Sequence, residues 1–185
     1  MLAFYLSMIE TEQDRSKFEK IYIEYSSLMK YIANGILHDN QLAEDACQDA
    51  FMKIIDSLHK LDEIYCHKTK RFLVIVVENV SKTLYNKQKK NNKDISLDEL
   101  DYEIPGEKLV DEEVLSNIGE MEILAQIELL PDIYRDVLFL KYLDGYKDKE
   151  ISKLLDISGA NVRKRLERAK CQLGALLSEE IKENV

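Results

Sequence analysis

The sequence predicts an all-α protein of two small helical domains joined by an acidic linker, with a helix-turn-helix in the second domain. Three observations lead to this prediction. The 185 residues include only two Pro and six Gly, and 33% of them are charged, as is typical of largely helical proteins. Apolar residues recur at steps of three and four, the period of a helix with one buried face. A run rich in Asp and Glu separates two such regions.

The predicted domains span residues 1–93 and 118–185, and the linker spans 94–117. Ser16 and Glu19 match a capping box, which predicts the start of a first long helix. Its apolar stripe is Phe18, Ile21, Tyr22, Tyr25, Met29, Ile32 and Ile36. The apolar segment MLAFYLSMI before it is too short for a membrane helix, and we expect it to pack on the first domain or on a partner.

A second helix is predicted from about Gln41, with an inward stripe of Leu42, Ala46, Ala50, Ile54 and Leu58, broadened by Phe51 and Ile55. The opposite side is acidic and carries one apolar residue. It comprises Glu44, Asp45, Gln48, Asp49 and Met52. A basic partner helix could cover such a face, although an ordinary solvated face has the same composition.

Residues 70–90 are predicted as a third helix, although the β-branched run FLVIVV at 72–77 favours a buried strand by propensity alone. Val80 and Leu84 continue the side of Val76 and Val77 at helical spacing, and the chain offers no second strand. We therefore expect a helix.

The second domain is expected to open with a helix whose apolar residues are Ile118, Met121, Leu124, Ala125 and Leu129. Pro131 should begin the next helix, and Gly145 should end it. Residues 147–170 then read as helix, turn and helix. Ser158 is placed to cap the last helix, whose buried stripe is Val162, Leu166, Ala169 and Leu173.

The other face of that last helix is basic and suits phosphates and base edges of DNA. Its candidate DNA-binding residues are Ser158, Asn161, Arg163, Lys164, Arg165 and Arg168. The net charge of −9 argues against nucleic-acid coating by bulk electrostatics. We therefore expect DNA contact in two basic patches, one on this helix and one around the third helix.

Three widely spaced Cys residues favour a reducing, cytoplasmic setting over a disulfide framework. Cys66, His67, His38 and His59 lack the paired spacing of metal ligands, and no glycine-rich phosphate loop is present. We therefore expect no enzyme, no metal, no cofactor and no small-molecule substrate.

In this order and spacing, AEDACQDAFMKI (43–54), RFLVIVVENVSKTLYNK (71–87) and LPDIYRDVLFLKYLDGYKDKEISKLLDISGANVRKRLERAK (130–170) resemble bacterial RNA polymerase sigma factors of the extracytoplasmic-function class. The resemblance implies a protein that binds core RNA polymerase and directs promoter-specific initiation. It implies contacts to the clamp helices of the largest subunit, to the flap region and to promoter DNA. It also implies an anti-sigma factor that holds the protein inactive until an envelope stress signal.

The same resemblance assigns the acidic face to polymerase and the helix-turn-helix to the minus-thirty-five element. The minus-ten element would be bound by Tyr65, Lys68, Lys70, Arg71, Asn79, Lys82 and Lys87, with Asn79 reading a base and Tyr65 stacking on a flipped one. Two departures stand out. Glu78 replaces the family's usual Arg beside the DNA, and Asp156 replaces the usual Gly of the turn.

Two other functions remain open at the level of sequence. A stand-alone helix-turn-helix regulator would use the N-terminal helices for sensing or dimerisation and would bind DNA without polymerase. An adaptor that only bridges proteins would leave Asn79 and the basic helix unexplained.

Overall fold

The computed structural model describes residues 1–91 and 120–183. Within them every regular element is helical, which confirms the all-α prediction. The chain divides into two compact units, one within residues 1–101 and the other within 102–185. The predicted linker at 94–117 and the apolar Ile118 lie outside the described residues.

Residues 1–91 of the first unit form four α-helices, α1 (Leu2–Met8), α2 (Glu12–Leu37), α3 (Asn40–Ser57) and α4 (His67–Asn91), with a short 3-10 turn at Leu58–Lys60. Helices α2, α3 and α4 pack on one another. The run FLVIVV is helical, as predicted. Five of its six residues are buried, because both α2 and α3 pack against it.

The start of α2 differs from the prediction. Thr11 is the N-cap, and its hydroxyl oxygen accepts from the backbone N–H of Asp14 at 3.1 Å, so the helix begins before Ser16 and Glu19. The guanidinium of Arg15 also donates to the carbonyl of Ile9 at 2.8 Å. The capping-box pattern of Ser16 and Glu19 therefore lies inside the helix, and the Thr11 hydroxyl caps its start instead.

The N-terminal helix packs on the first unit through an aromatic cluster. Tyr5 is buried, and its ring centroid lies 5.5 Å from that of Phe18 and 5.6 Å from that of Phe51. Tyr22 lies 5.0 Å from Phe51. Tilted ring contacts of this kind stabilise a core beyond the burial of their surface.

The second unit contains α5 (Glu120–Glu128), α6 (Asp132–Leu138), a π-helical turn at Phe139–Leu143, α7 (Asp148–Leu155) and α8 (Gly159–Glu183). Pro131 precedes α6 and Gly145, at φ 71°, follows the π-turn, as predicted. The predicted stripe of α5 is partly wrong. Ala125 is exposed and Leu129 is 67% exposed, whereas Ile127 and Leu130 are buried. Leu129 lies beyond Glu128, the last residue of the helix, so the helical period no longer applies to it.

Among residues 1–91 and 120–183, no helix combines the length and the apolar character that crossing a bilayer requires.

Candidate functional site

The acidic face of α3 is held outward by the burial of the other side of that helix. Asp39 caps α3 by accepting from the backbone N–H of Gln41 and Leu42 at 2.8 and 3.1 Å. The buried side comprises Ala43, Ala46, Cys47, Ala50, Phe51, Ile54 and Ser57. Four of the predicted contact residues are therefore exposed, and the fifth is half-buried. They are Glu44, Asp45, Gln48, Asp49 and Met52.

One residue of this face is tied to α2. The ammonium of Lys30 donates to Oε1 of Glu44 at 2.6 Å, and this hydrogen bond raises the pKa of Lys30. Since the charge of Glu44 is shared with Lys30, Asp45 and Asp49 carry the net negative charge of the face. This pair was not predictable from the sequence, because Lys30 and Glu44 stand on different helices.

The segment before α4 is anchored so that Tyr65 points to solvent. Tyr25 donates its hydroxyl to the carbonyl of Ile64 at 2.9 Å, and the next side chain, Tyr65, is 71% exposed. The thiol of Cys66 then stands at the start of α4 and accepts from the backbone N–H of Thr69 at 3.4 Å. Its hydrogen bonding with the Thr69 side chain, supported by backbone N–H groups, lowers the pKa of Cys66.

Five predicted basic contacts lie along α4. Lys68, Lys70 and Lys87 are exposed, and Arg71 and Lys82 are half-buried. Lys68, Lys70 and Arg71 lie near the start of α4, just after Tyr65 in the chain, and Lys87 lies towards the end of the helix.

Asn79 lies on α4 between these basic groups. It is half-buried, and its Oδ1 is shielded from solvent without a hydrogen-bond partner among the described residues. A buried amide oxygen without a donor is costly. One turn of helix away, Lys82 donates to Glu78 at 3.0 Å, so the negative charge of Glu78 is balanced within α4.

The turn between α7 and α8 explains how Asp156 serves in place of Gly. Its backbone is left-handed, with φ 52° and ψ 43°, and its N–H bonds to the carbonyl of Ser152. Asp tolerates this conformation better than most residues. Ser158 caps α8 as predicted, because its hydroxyl oxygen accepts from the N–H of Asn161 at 3.1 Å.

Most of the predicted basic face of α8 is accessible. Arg163 and Lys164 are exposed, and Asn161 and Arg168 are half-buried. Arg165 has a different environment. It stands between the buried positions of α8, and burial lowers its pKa, opposed by the charges of Tyr134 and Asp136 on α6. Arg165 therefore belongs at least in part to the α6–α8 packing.

The π-turn connects to both helices of the helix-turn-helix. Lys141 donates to Asp148 at the start of α7 at 2.6 Å, which lowers the pKa of that carboxyl. The ammonium of Lys170 on α8 lies 5.3 Å from the ring centroid of Tyr142, within cation–π range. The sequence did not indicate these contacts, since a π-turn has no composition of its own.

The described side chains include no group of three or more His, Cys, Asp or Glu that could hold a metal ion.

Two family models match the chain, one within each compact unit. The family model described as sigma-70 region 2 matches residues 21–91, and the model described as sigma-70, region 4 matches residues 120–173. The chain is 31% identical over 163 residues to the ECF RNA polymerase sigma factor SigM of Bacillus subtilis (strain 168), covering 85% of this chain and 93% of that protein. It is 26% identical over 159 residues to the RNA polymerase sigma factor SigZ of the same organism, covering 86% of each.

Proposed function

The chain belongs to the RNA polymerase sigma factors of the extracytoplasmic-function class, and from this premise we propose which of its surfaces contacts each partner. As a sigma factor it binds core RNA polymerase and promoter DNA and directs transcription initiation. Sigma factors are non-enzymatic initiation factors. The alternative of a stand-alone regulator is not favoured, because both sigma-factor regions match in order along one chain.

In this proposal the acidic face of α3 docks on the clamp helices of the largest polymerase subunit. The observation that carries it is the exposure of Asp45, Gln48 and Asp49 on one side of a helix whose other side is buried. Asp45 and Asp49 attract a basic helix, while Gln48 can donate and accept hydrogen bonds. The half-buried Met52 adds an apolar contact.

The minus-ten element is assigned to α4 and to the segment before it. The exposed ring of Tyr65 can stack on an unpaired base, and the half-buried Asn79 carries an amide that can donate to and accept from a base edge. Lys68, Lys70 and Lys87 supply phosphate contacts. Arg71 and Lys82 remain in the proposal as flanking cations, with Lys82 exchanging Glu78 for a phosphate.

The minus-thirty-five element is assigned to α8 in the major groove. Arg163, Lys164 and Arg168 are the charged contacts, and Asn161 and Ser158 stand at the helix start, where recognition helices meet base edges. Arg165 is retained as the inner edge of this surface. We also place the flap region of polymerase against the second unit.

We further propose control by an anti-sigma factor that covers these surfaces until an envelope stress signal releases the protein. The proposed domain limits are residues 1–93, 94–117 and 118–185, with the middle segment as a linker.

Promoter-specific transcription with purified core polymerase tests the assignment of α3. We expect Asp45→Arg/Gln48→Ala to weaken core binding at least about 100-fold and to abolish specific initiation, because a reversed charge opposite a basic helix costs several kcal/mol. Glu24→Arg reverses an exposed charge on α2 and serves as the control. Normal initiation by the double variant, or equal loss in the control, would remove α3 from the interface.

A further inference from the structure

A groove of about 340 Å³ opens between α1, α2 and α3. Its floor is formed by Tyr5, Tyr22, Cys47 and Phe51. Tyr5, Tyr22 and Phe51 belong to the aromatic cluster. Tyr22 is half-buried, whereas Tyr5, Cys47 and Phe51 are buried. The cleft is therefore apolar at its base and opens to solvent beside Tyr22.

The two walls of the groove differ in chemistry. On α2 the wall consists of Ser26, Ser27 and Lys30. On α3 it consists of Glu44 and Gln48, which are also members of the acidic face. The pair formed by Lys30 and Glu44 at 2.6 Å joins the two walls across the groove.

We infer that this groove receives an apolar side chain of the same basic polymerase helix that covers the acidic face of α3, so that α1 and α2 take part in core binding. This inference rests on the proposed function of α3. Two features lead to it. Glu44 and Gln48 line the groove and also belong to the acidic face, so a partner helix that lies on the acidic face also reaches the groove. Asp45 and Asp49 beside the opening select a positively charged partner.

An apolar anchor fits the energetics of such an interface. Interfaces gain most of their affinity from a few side chains that fill dry pockets at their centre, surrounded by polar groups that exclude water. Here the aromatic floor supplies the pocket, and Gln48 with the Lys30–Glu44 pair supplies the polar surround. The acidic residues would then orient the partner helix, and the groove would slow its release.

Filling the groove tests the inference. Ser26→Trp places a large side chain inside the cleft, and Glu24→Trp places the same side chain on nearly the opposite side of α2, since residues two apart on a helix diverge by about 160°. We expect Ser26→Trp to weaken binding to core polymerase at least tenfold and Glu24→Trp to leave it unchanged. Melting temperatures of both variants verify that each is folded.

A photo-crosslinking residue at Ser27, which is exposed at the edge of the groove, gives a second measurement without filling the cleft. We expect crosslinks to the largest polymerase subunit from Ser27 and none from Glu24.

Parallel measurements on Asp45→Arg separate the two proposals. If Asp45→Arg loses core binding while Ser26→Trp retains it and Ser27 does not crosslink, the groove inference is wrong and the α3 assignment stands. If Asp45→Arg binds normally, the α3 assignment itself fails.

Discussion

The acidic face of α3 and the basic face of α8 are built by the same device with opposite charge. Each helix buries an apolar stripe against its own unit, each begins at a side-chain cap, at Asp39 or Ser158, and each leaves its charged side to solvent. One face suits a basic protein helix and the other suits phosphates and base edges. In both helices the packing exposes the charged face, and in our proposal the sign of its charge selects the partner.

The two faces also share a structural support. Lys30 pairs with Glu44 within the acidic face, and Lys141 pairs with Asp148 at the start of the helix-turn-helix, both at 2.6 Å. The two faces differ in how far their charged side chains are buried. All the acids of α3 are exposed, whereas Arg165 in α8 is partly withdrawn into the packing against α6.

Of the substitutions that test the two faces, charge reversal on α8 should have the largest effect, and that effect should be on promoter binding. We expect Arg163→Glu/Lys164→Glu to weaken promoter binding by the polymerase complex at least about 100-fold, since each lost contact is worth about 1–3 kcal/mol. Binding to core polymerase should not change. Fluorescence anisotropy with labelled promoter DNA and with core enzyme measures both. A similar loss of core binding would contradict the division of labour between the two faces.

Neutralising the two neighbouring arginines separately should distinguish a DNA contact from a packing contact. We expect Arg163→Gln to reduce promoter affinity about tenfold and to lower the salt slope by about one if it holds a phosphate. Because Arg165 lies at the inner edge of the surface, Arg165→Gln should lower the salt slope less than Arg163→Gln does and should lower the melting temperature by about 4–8 °C, the shift that 1 kcal/mol produces in a domain of this size. An equal drop in the salt slope with no change in melting temperature would mean that Arg165 acts only as a DNA contact.

The smallest effect concerns the Lys141–Asp148 pair. Because this pairing lowers the pKa of Asp148 in the folded state, its contribution is complete at neutral pH and is lost as pH falls through the folded pKa. We expect Lys141→Met to lower the free energy of unfolding by less than about 1 kcal/mol at pH 7, since both side chains of the pair are partly exposed. Urea unfolding measured across the acid range should show that the difference in free energy of unfolding between variant and parent shrinks as the pH falls. A constant difference would mean that Lys141 acts through its aliphatic chain.

Much of the fold followed from periodicity. The helical state of FLVIVV was predictable because Val76, Val77 and Val80 share one side at helical spacing, and that pattern outweighed β-propensity. The cap at Ser158 was predictable from a hydroxyl before a basic amphipathic run. These are local signals, and they need no knowledge of the neighbouring helices.

The remaining features depend on tertiary contacts. The start of α2 at Thr11 was not predictable, because Ser16 and Glu19 match the capping-box pattern better than Thr11 and Asp14 do. The environment of Arg165 depends on where α6 packs, and the groove beside α3 exists because α1 returns onto Tyr22. The side of α3 on which Asp45 and Gln48 lie was predictable, whereas the ion pair of Glu44 was not.

The cap of α4 also has a practical chemical consequence. Thiol-reactive dyes attack the thiolate, and hydrogen bonding with Thr69 lowers the pKa of Cys66, whereas burial raises the pKa of Cys47 to about 11. A maleimide dye at neutral pH should therefore modify Cys66 far faster than Cys47. Cys171 is also a free, partly exposed thiol, so a Cys171→Ser background would confine the label to the residue next to Tyr65. A change in its emission when promoter DNA is added would then test the proposed contact of Tyr65 with an unpaired base.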